Sequence, residues 1–171
     1  MTPLTRIAYR SRQFWNALAG RKTQVPEEVI RPHLSATQVA LFQRMQASEQ
    51  AHAFRAFERL KAAGQGDPDL LAATLLHDVG KIRSPLTPFD RVLIVLGRYF
   101  FPGAVGHWGT GEARGLRRPF VVAAQHPAWG AELAAAAGAS AQTCELIHRH
   151  QESTSADNPL LAALQAVDDE S

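Results

Sequence analysis

One cysteine, Cys144, stands in a chain of 171 residues, so no internal disulfide can form and a reducing compartment is the natural setting. No stretch is apolar for long. The longest aliphatic block is Val92-Leu93-Ile94-Val95-Leu96, far short of the ~20 residues that a bilayer-spanning helix requires. Near the start, Arg6, Arg10 and Arg12 interrupt the run from Leu4 to Leu18, which excludes the uninterrupted core of a signal peptide. Lysine and arginine exceed aspartate and glutamate by only two, too mild a bias to argue for nucleic acid. It suits an anionic small molecule. A soluble cytoplasmic protein is expected, with no nucleic-acid partner and with a homodimer left open.

Several motifs are missing as well. There is no Gly-x-x-x-x-Gly-Lys-Ser/Thr loop, no Gly-x-Gly-x-x-Gly, no Gly-x-Ser-x-Gly and no pair of zinc-type cysteines. The common nucleoside triphosphatase, dehydrogenase, serine hydrolase and zinc-finger readings fall with them. β-Branched residues are sparse and no strand-like alternation occurs, whereas alanine and leucine dominate. An all-α domain follows.

The helices can be placed by their caps. Thr5 to Gly20 reads as a short amphipathic helix packed on the domain or on a partner, with a lipid-touching surface helix as the alternative. Pro26 and Pro32 mark a loop. Ser35 caps a long helix expected to run to about Ala63, with Gly64 as its stop. Asp67 and Pro68 open the next, which Gly80 is expected to close in a left-handed conformation. Asp90 to Phe101 reads as a helix, and Gly103 to Gly115, with five glycines, as a loop. Pro127 is expected to open a helix that Gly138 ends. Ser140 and Asn158-Pro159 begin the last two. The chain divides into an extension, residues 1–34, and a domain, residues 35–171, interrupted by an insertion at about 82–119.

Chemistry enters at His77 and Asp78, at the end of a helix with no other charge after Asp69. A buried carboxylate costs several kcal/mol unless something pairs with it. A divalent cation is one such partner, and imidazole with carboxylate suits zinc, iron, manganese, cobalt or nickel. Asp168 shares a stripe with Leu161 and Leu164, so it faces inward while Asp169 points elsewhere.

The stretch LLAATLLHDVGK, Leu70 to Lys81, resembles the signature of HD-superfamily phosphohydrolases. Those proteins also use a histidine on the preceding helix, here His52, and an aspartate on a later one, here Asp168 in LLAALQAVDD. HPAWGAEL, His126 to Leu133, is similar to the HPxxG segment of two-metal HD proteins. Ile147-His-Arg-His-Gln-Glu152 occupies the place of a His-His-Glu motif. Matching the glutamate puts His150 on the first histidine, while Gln151 replaces the second. His148 and His150 lie about 200° apart on a helix, and His148 is expected at the surface or in the core. No Gly-Tyr-Pro follows, which argues against a cyclic di-GMP phosphodiesterase.

The resemblance implies an HD-domain helical bundle binding one or two divalent transition metal ions through His52, His77, Asp78, His126, His150 and Asp168, with Asp78 bridging if two ions bind. It implies hydrolysis of a phosphoester or phosphoanhydride in a small, nucleotide-like substrate. Lys81 is expected to contact a substrate phosphate, with Arg83, Arg117 and Arg118 as weaker candidates. A non-catalytic sensor that holds metal or nucleotide, and a di-iron oxygenase, are the alternatives.

Overall fold

The computed structural model describes residues 25–152 and 158–170. The amphipathic segment Thr5–Gly20 lies outside them. The described residues form nine α-helices and no strand, as the composition leads one to expect. None is long and apolar enough to cross a membrane.

A one-turn helix, α1 (Glu27–Ile30), replaces the loop expected between the two prolines. Ile30 and Leu34 are buried in the main core, so that core begins before Ser35. Ser35 caps α2 (Ala36–Gln43) through a reciprocal capping box with Gln38. The expected long helix is broken, however, and α3 (Ala47–Ala62) starts afresh after an extended Gln46. The break turns Met45 into the core. It costs little because the Gln50 side chain donates to the carbonyls of Gln43 (3.2 Å) and Met45 (2.9 Å). Gly64, at φ +78°, ends α3 as expected.

Asp67 accepts a 2.9 Å bond from the Leu70 amide and opens α4 (Pro68–Leu76), buried from Leu70 onward. The helix stops before His77, and a 3₁₀ turn, Val79–Arg83, continues the chain. Gly80 is not left-handed. What it supplies is closeness: a Cβ there would lie 2.0 Å from the His126 carbonyl oxygen and 2.7 Å from the Gly130 nitrogen.

The insertion is a helical pair, α5 (Pro88–Phe100) and α6 (Pro102–Trp108). The second half of the pair corrects the expected glycine-rich loop. Pro102 at the first turn and Trp108, its ring 5.0 Å from that of Phe120 and tilted to it by 60°, offset the low helix propensity of the glycines. A small satellite core of Leu86, Ile94, Phe120 and Val122 holds the pair to the domain.

Helix α7 (Arg118–Ala136) runs straight through Pro127, which does not open it. Phe120, Val121 and Val122 upstream are buried, and that packing outweighs the ladder bond lost at proline. Gly138 (φ +78°) ends the helix, Ser140 caps α8 (Ala141–Arg149), and Asn158 caps α9 (Pro159–Glu170). The main core lies where α3, α4, α7, α8 and α9 converge.

Candidate metal centre

Three helices bring the first donor set together. His52 comes from α3, His77 from the turn after α4, and Asp168 from the last turn of α9. Leu161 and Leu164 are fully buried below Asp168 and fix its direction, while Asp169 is exposed. His52 Nε2 is 2.8 Å from Asp168 Oδ1 and 3.3 Å from His77 Nε2, and His77 Nε2 is 3.2 Å from Asp168 Oδ1.

A second set adjoins it: Asp78, His126 of α7, and His150 at the end of α8. Asp78 Oδ1 lies 3.3 Å from His126 Nε2, and Oδ2 lies 3.6 Å from His77 Nε2. The two oxygens of one carboxylate thus face different sets. The His150 ring stands 5.2 Å from both the His77 and the His126 ring, T-shaped to each.

The donors fit divalent metal. Ligands on a tetrahedron of ~2.1 Å radius lie ~3.4 Å apart, so the first set is only slightly contracted from that shape. All three fully buried imidazoles use Nδ1 on a backbone carbonyl: His77 on Thr74 (2.8 Å), His126 on Val122 (2.9 Å) and His150 on Ile147 (2.7 Å). These bonds assign the proton to Nδ1 and turn each Nε2 inward, the second-sphere arrangement that metal-ligating histidines use. His150 Nε2 is buried with no hydrogen-bond partner. Such an orphan costs ~1–3 kcal/mol unless a ligand takes it up.

The electrostatics point the same way. Burial, reinforced by His77 and His126, pushes the His150 imidazole down to about 3, so it is neutral. Burial alone would lower His77 too, but Asp78 and Asp168 overcome it and push the ring up to about 9. Burial opposes ionisation of Asp78; Lys81, then His77 and His126, hold its carboxyl well below the usual range. Asp168 is likewise held down, by His77 and His52 against its burial. Without metal, the His77 imidazolium is the cation between two carboxylates.

Lys81 has a different partner from the one expected. Its Nζ lies 2.6 Å from Asp78 Oδ2 and 3.5 Å from Glu49 Oε2. Glu49, buried on α3, also pairs with Arg91 of α5. An unbroken polar chain therefore leads from the insertion to Asp78. Sequence reasoning missed Glu49 and Arg91; the available signal was that Glu49 precedes His52 by three residues and so shares its helix face. Arg83 is turned to Glu132 (2.7 Å) with its guanidinium 5.9 Å from the Trp129 ring. Arg118 closes on Asp90 and the Pro85 carbonyl, and Arg117 is exposed. His148 is exposed, as expected. Gln151 lies 3.5 Å from His126 Nε2, and Glu152 pairs with Arg149 outside both sets.

A cleft of about 490 Å³ opens onto the centre, lined by Arg98, His150, Gln151, Gln165, Asp168 and Asp169 among others. Neither Lys81 nor Arg83 lines it. No protein-family model, no curated protein and no solved structure matches the chain.

Proposed function

We propose that this chain is an HD-type metal-dependent phosphohydrolase that cleaves a phosphoester or phosphoanhydride of a small, nucleotide-like substrate. The observation that carries the reading is the pairing of two three-donor sets across consecutive residues, His77 and Asp78, beneath an open cleft. His52, His77 and Asp168 would hold one ion, and Asp78, His126 and His150 a second.

The chemistry such ions supply is acidification of coordinated water and neutralisation of phosphoryl charge. The chain's own residues do the rest. The three Nδ1 bonds to carbonyls fix the imidazoles against rotation. Lys81 holds one oxygen of Asp78 and keeps the carboxylate aimed at both sets. Arg98, on the cleft wall, meets the anionic part of the substrate. Lys81 serves this reaction as a positioning residue.

The test is metal analysis of purified protein followed by phosphate release from a panel of nucleotides with manganese, cobalt, nickel or magnesium. Metal-dependent turnover that Asp78→Ala abolishes supports the reading. An Asp78→Ala protein with wild-type turnover, or a metal-loaded protein with none on any phosphorylated substrate, overturns it. In the second case a metal-holding sensor becomes the better description.

A further inference from the structure

Glu49 is a buried carboxylate that belongs to neither donor set. It stands in the first turn of α3, three residues before His52 and on the same face, with only 4% of its surface exposed. A place near a helix start suits an acid, yet both oxygens go to side chains of other elements. Oε2 lies 3.5 Å from Lys81 Nζ, and Oε1 pairs with Arg91 of α5. Lys81 Nζ in turn lies 2.6 Å from Asp78 Oδ2. Charges of alternating sign thus lead from the insertion to the centre, in the order Arg91, Glu49, Lys81, Asp78. None of these residues lines the cleft, so the chain approaches from behind it. The space enclosed beside Glu49, Asp78 and Lys81, with Arg44, Met45 and Ile82 also in its wall, is about 10 Å³. That is room for one water at most and too little for a hydrated counter-ion. The chain is balanced by its own members.

Stability is not what this arrangement mainly supplies, because a buried ion pair is often no better for the fold than apolar side chains of the same volume. What the alternation controls is the charge that Asp78 presents. Lys81 and an ion held by Asp78, His126 and His150 would draw on the same carboxylate, and two cations close together repel. Glu49 takes up part of the ammonium charge and so leaves more of Asp78 to the ion. Arg91 takes up part of Glu49 and so returns some of Lys81 to Asp78. The effect on the ion therefore changes sign at each link. We propose that Glu49 is a positioning residue of the metal centre, sharing the Lys81 ammonium so that Asp78 can hold an ion, and that Arg91 opposes it from α5. This rests on the donor sets holding metal, as read above, and not on the reaction.

The experiment is calorimetric titration of the chelator-treated full chain with manganese, beside the thermal midpoint of each protein before metal is added. Glu49→Gln keeps the shape and removes the charge. It should weaken the ion held through Asp78 by roughly ten- to a hundredfold, the loss typical of an outer-sphere partner. Glu49→Asp keeps the charge and should recover part of that affinity. Arg91→Gln should bind manganese as tightly as wild type or more tightly, although it too breaks an ion pair. A merely structural role would lower affinity and midpoint together in all three variants. Wild-type affinity in Glu49→Gln, a Glu49→Asp protein no better than Glu49→Gln, or weaker binding by Arg91→Gln overturns the proposal. The last result decides the matter even where Glu49→Gln does not fold, since Arg91 is partly exposed. A wild type that binds no manganese ends the metal site and this inference together. One that binds it and hydrolyses nothing ends the reaction alone.

Discussion

Replacing Gly80 by alanine puts a methyl group where two backbones already touch. The added carbon would sit 2.0 Å from the His126 carbonyl oxygen, 2.7 Å from the Gly130 nitrogen and 2.9 Å from the His126 carbonyl carbon. All three are main-chain atoms of one helix, so no side chain can swing aside. The 3₁₀ turn after Asp78 and the middle of α7 must separate. Overpacking costs typically 1–3 kcal/mol, and a contact with backbone on both sides belongs at the upper end, at about 3 kcal/mol. For a chain of this size that is a fall of roughly 6–12 °C in Tm. The displacement also pulls Asp78 from His126, now 3.3 Å apart, while His52, His77 and Asp168 lie off the line of the contact. Calorimetry and metal titration on Gly80→Ala should show the lower midpoint together with preferential loss of one ion. Gly66→Ala is the control, because a Cβ there meets nothing within 4 Å. A Gly80→Ala protein with wild-type midpoint and stoichiometry would refute the claim that this contact sets the spacing of the second donor set.

Three other outcomes are expected. His150→Leu removes an orphaned polar atom, so the chelated variant should unfold within about 1 kcal/mol of wild type or above it, yet gain less on metal addition; denaturant melts with and without manganese check both. Lys81→Met leaves the buried Asp78 carboxylate without its ammonium and should cost about 3–5 kcal/mol in chelated protein, with part restored by metal; equal loss with and without metal would show that Lys81 does not act through Asp78. Asp90 carries a carboxyl held below the usual range, its burial overcome by hydrogen bonds from Thr87 and Arg118. A depressed carboxyl stabilises the fold above its unfolded pKa of ~3.9 and loses that contribution as pH falls through the folded value. Asp90→Asn should therefore cost about 1–2 kcal/mol at pH 7, and the gap from wild type should shrink below about pH 4; a gap that is flat with pH would refute the assignment.

Four helix starts were legible because their cause is local. Ser35, Asp67, Ser140 and Asn158 are short polar side chains set before apolar runs, and each caps the helix it precedes. The inward turn of Asp168 was legible for a similar reason, since Leu161 and Leu164 fix the stripe. What escaped depends on contacts distant in sequence. Nothing local marks the break at residues 44–46, which rests on burying Met45 and on a glutamine seven residues from one of its acceptors. Pro127 signals a helix start, but the packing of the preceding turn overrides it. His126 therefore reaches the centre from mid-helix rather than from a helix mouth. Gly80 invited a conformational explanation and has a steric one. Lys81 was read as free for a ligand although its nearer partner, Asp78, stands only three residues before it; its second partner, Glu49, lies 32 residues away.

One residue of each donor set belongs to the same dipeptide. His77 and Asp78 are joined by a planar peptide unit, which holds their α-carbons about 3.8 Å apart whatever the helices do. Slow breathing of the bundle can move α3, α7, α8 and α9 against this turn, and so loosen either set from its far side. It cannot slide the two halves apart from the middle. The backbone thus ties the two donor sets together at this one point, and motion of the surrounding helices would loosen each set from its far side first.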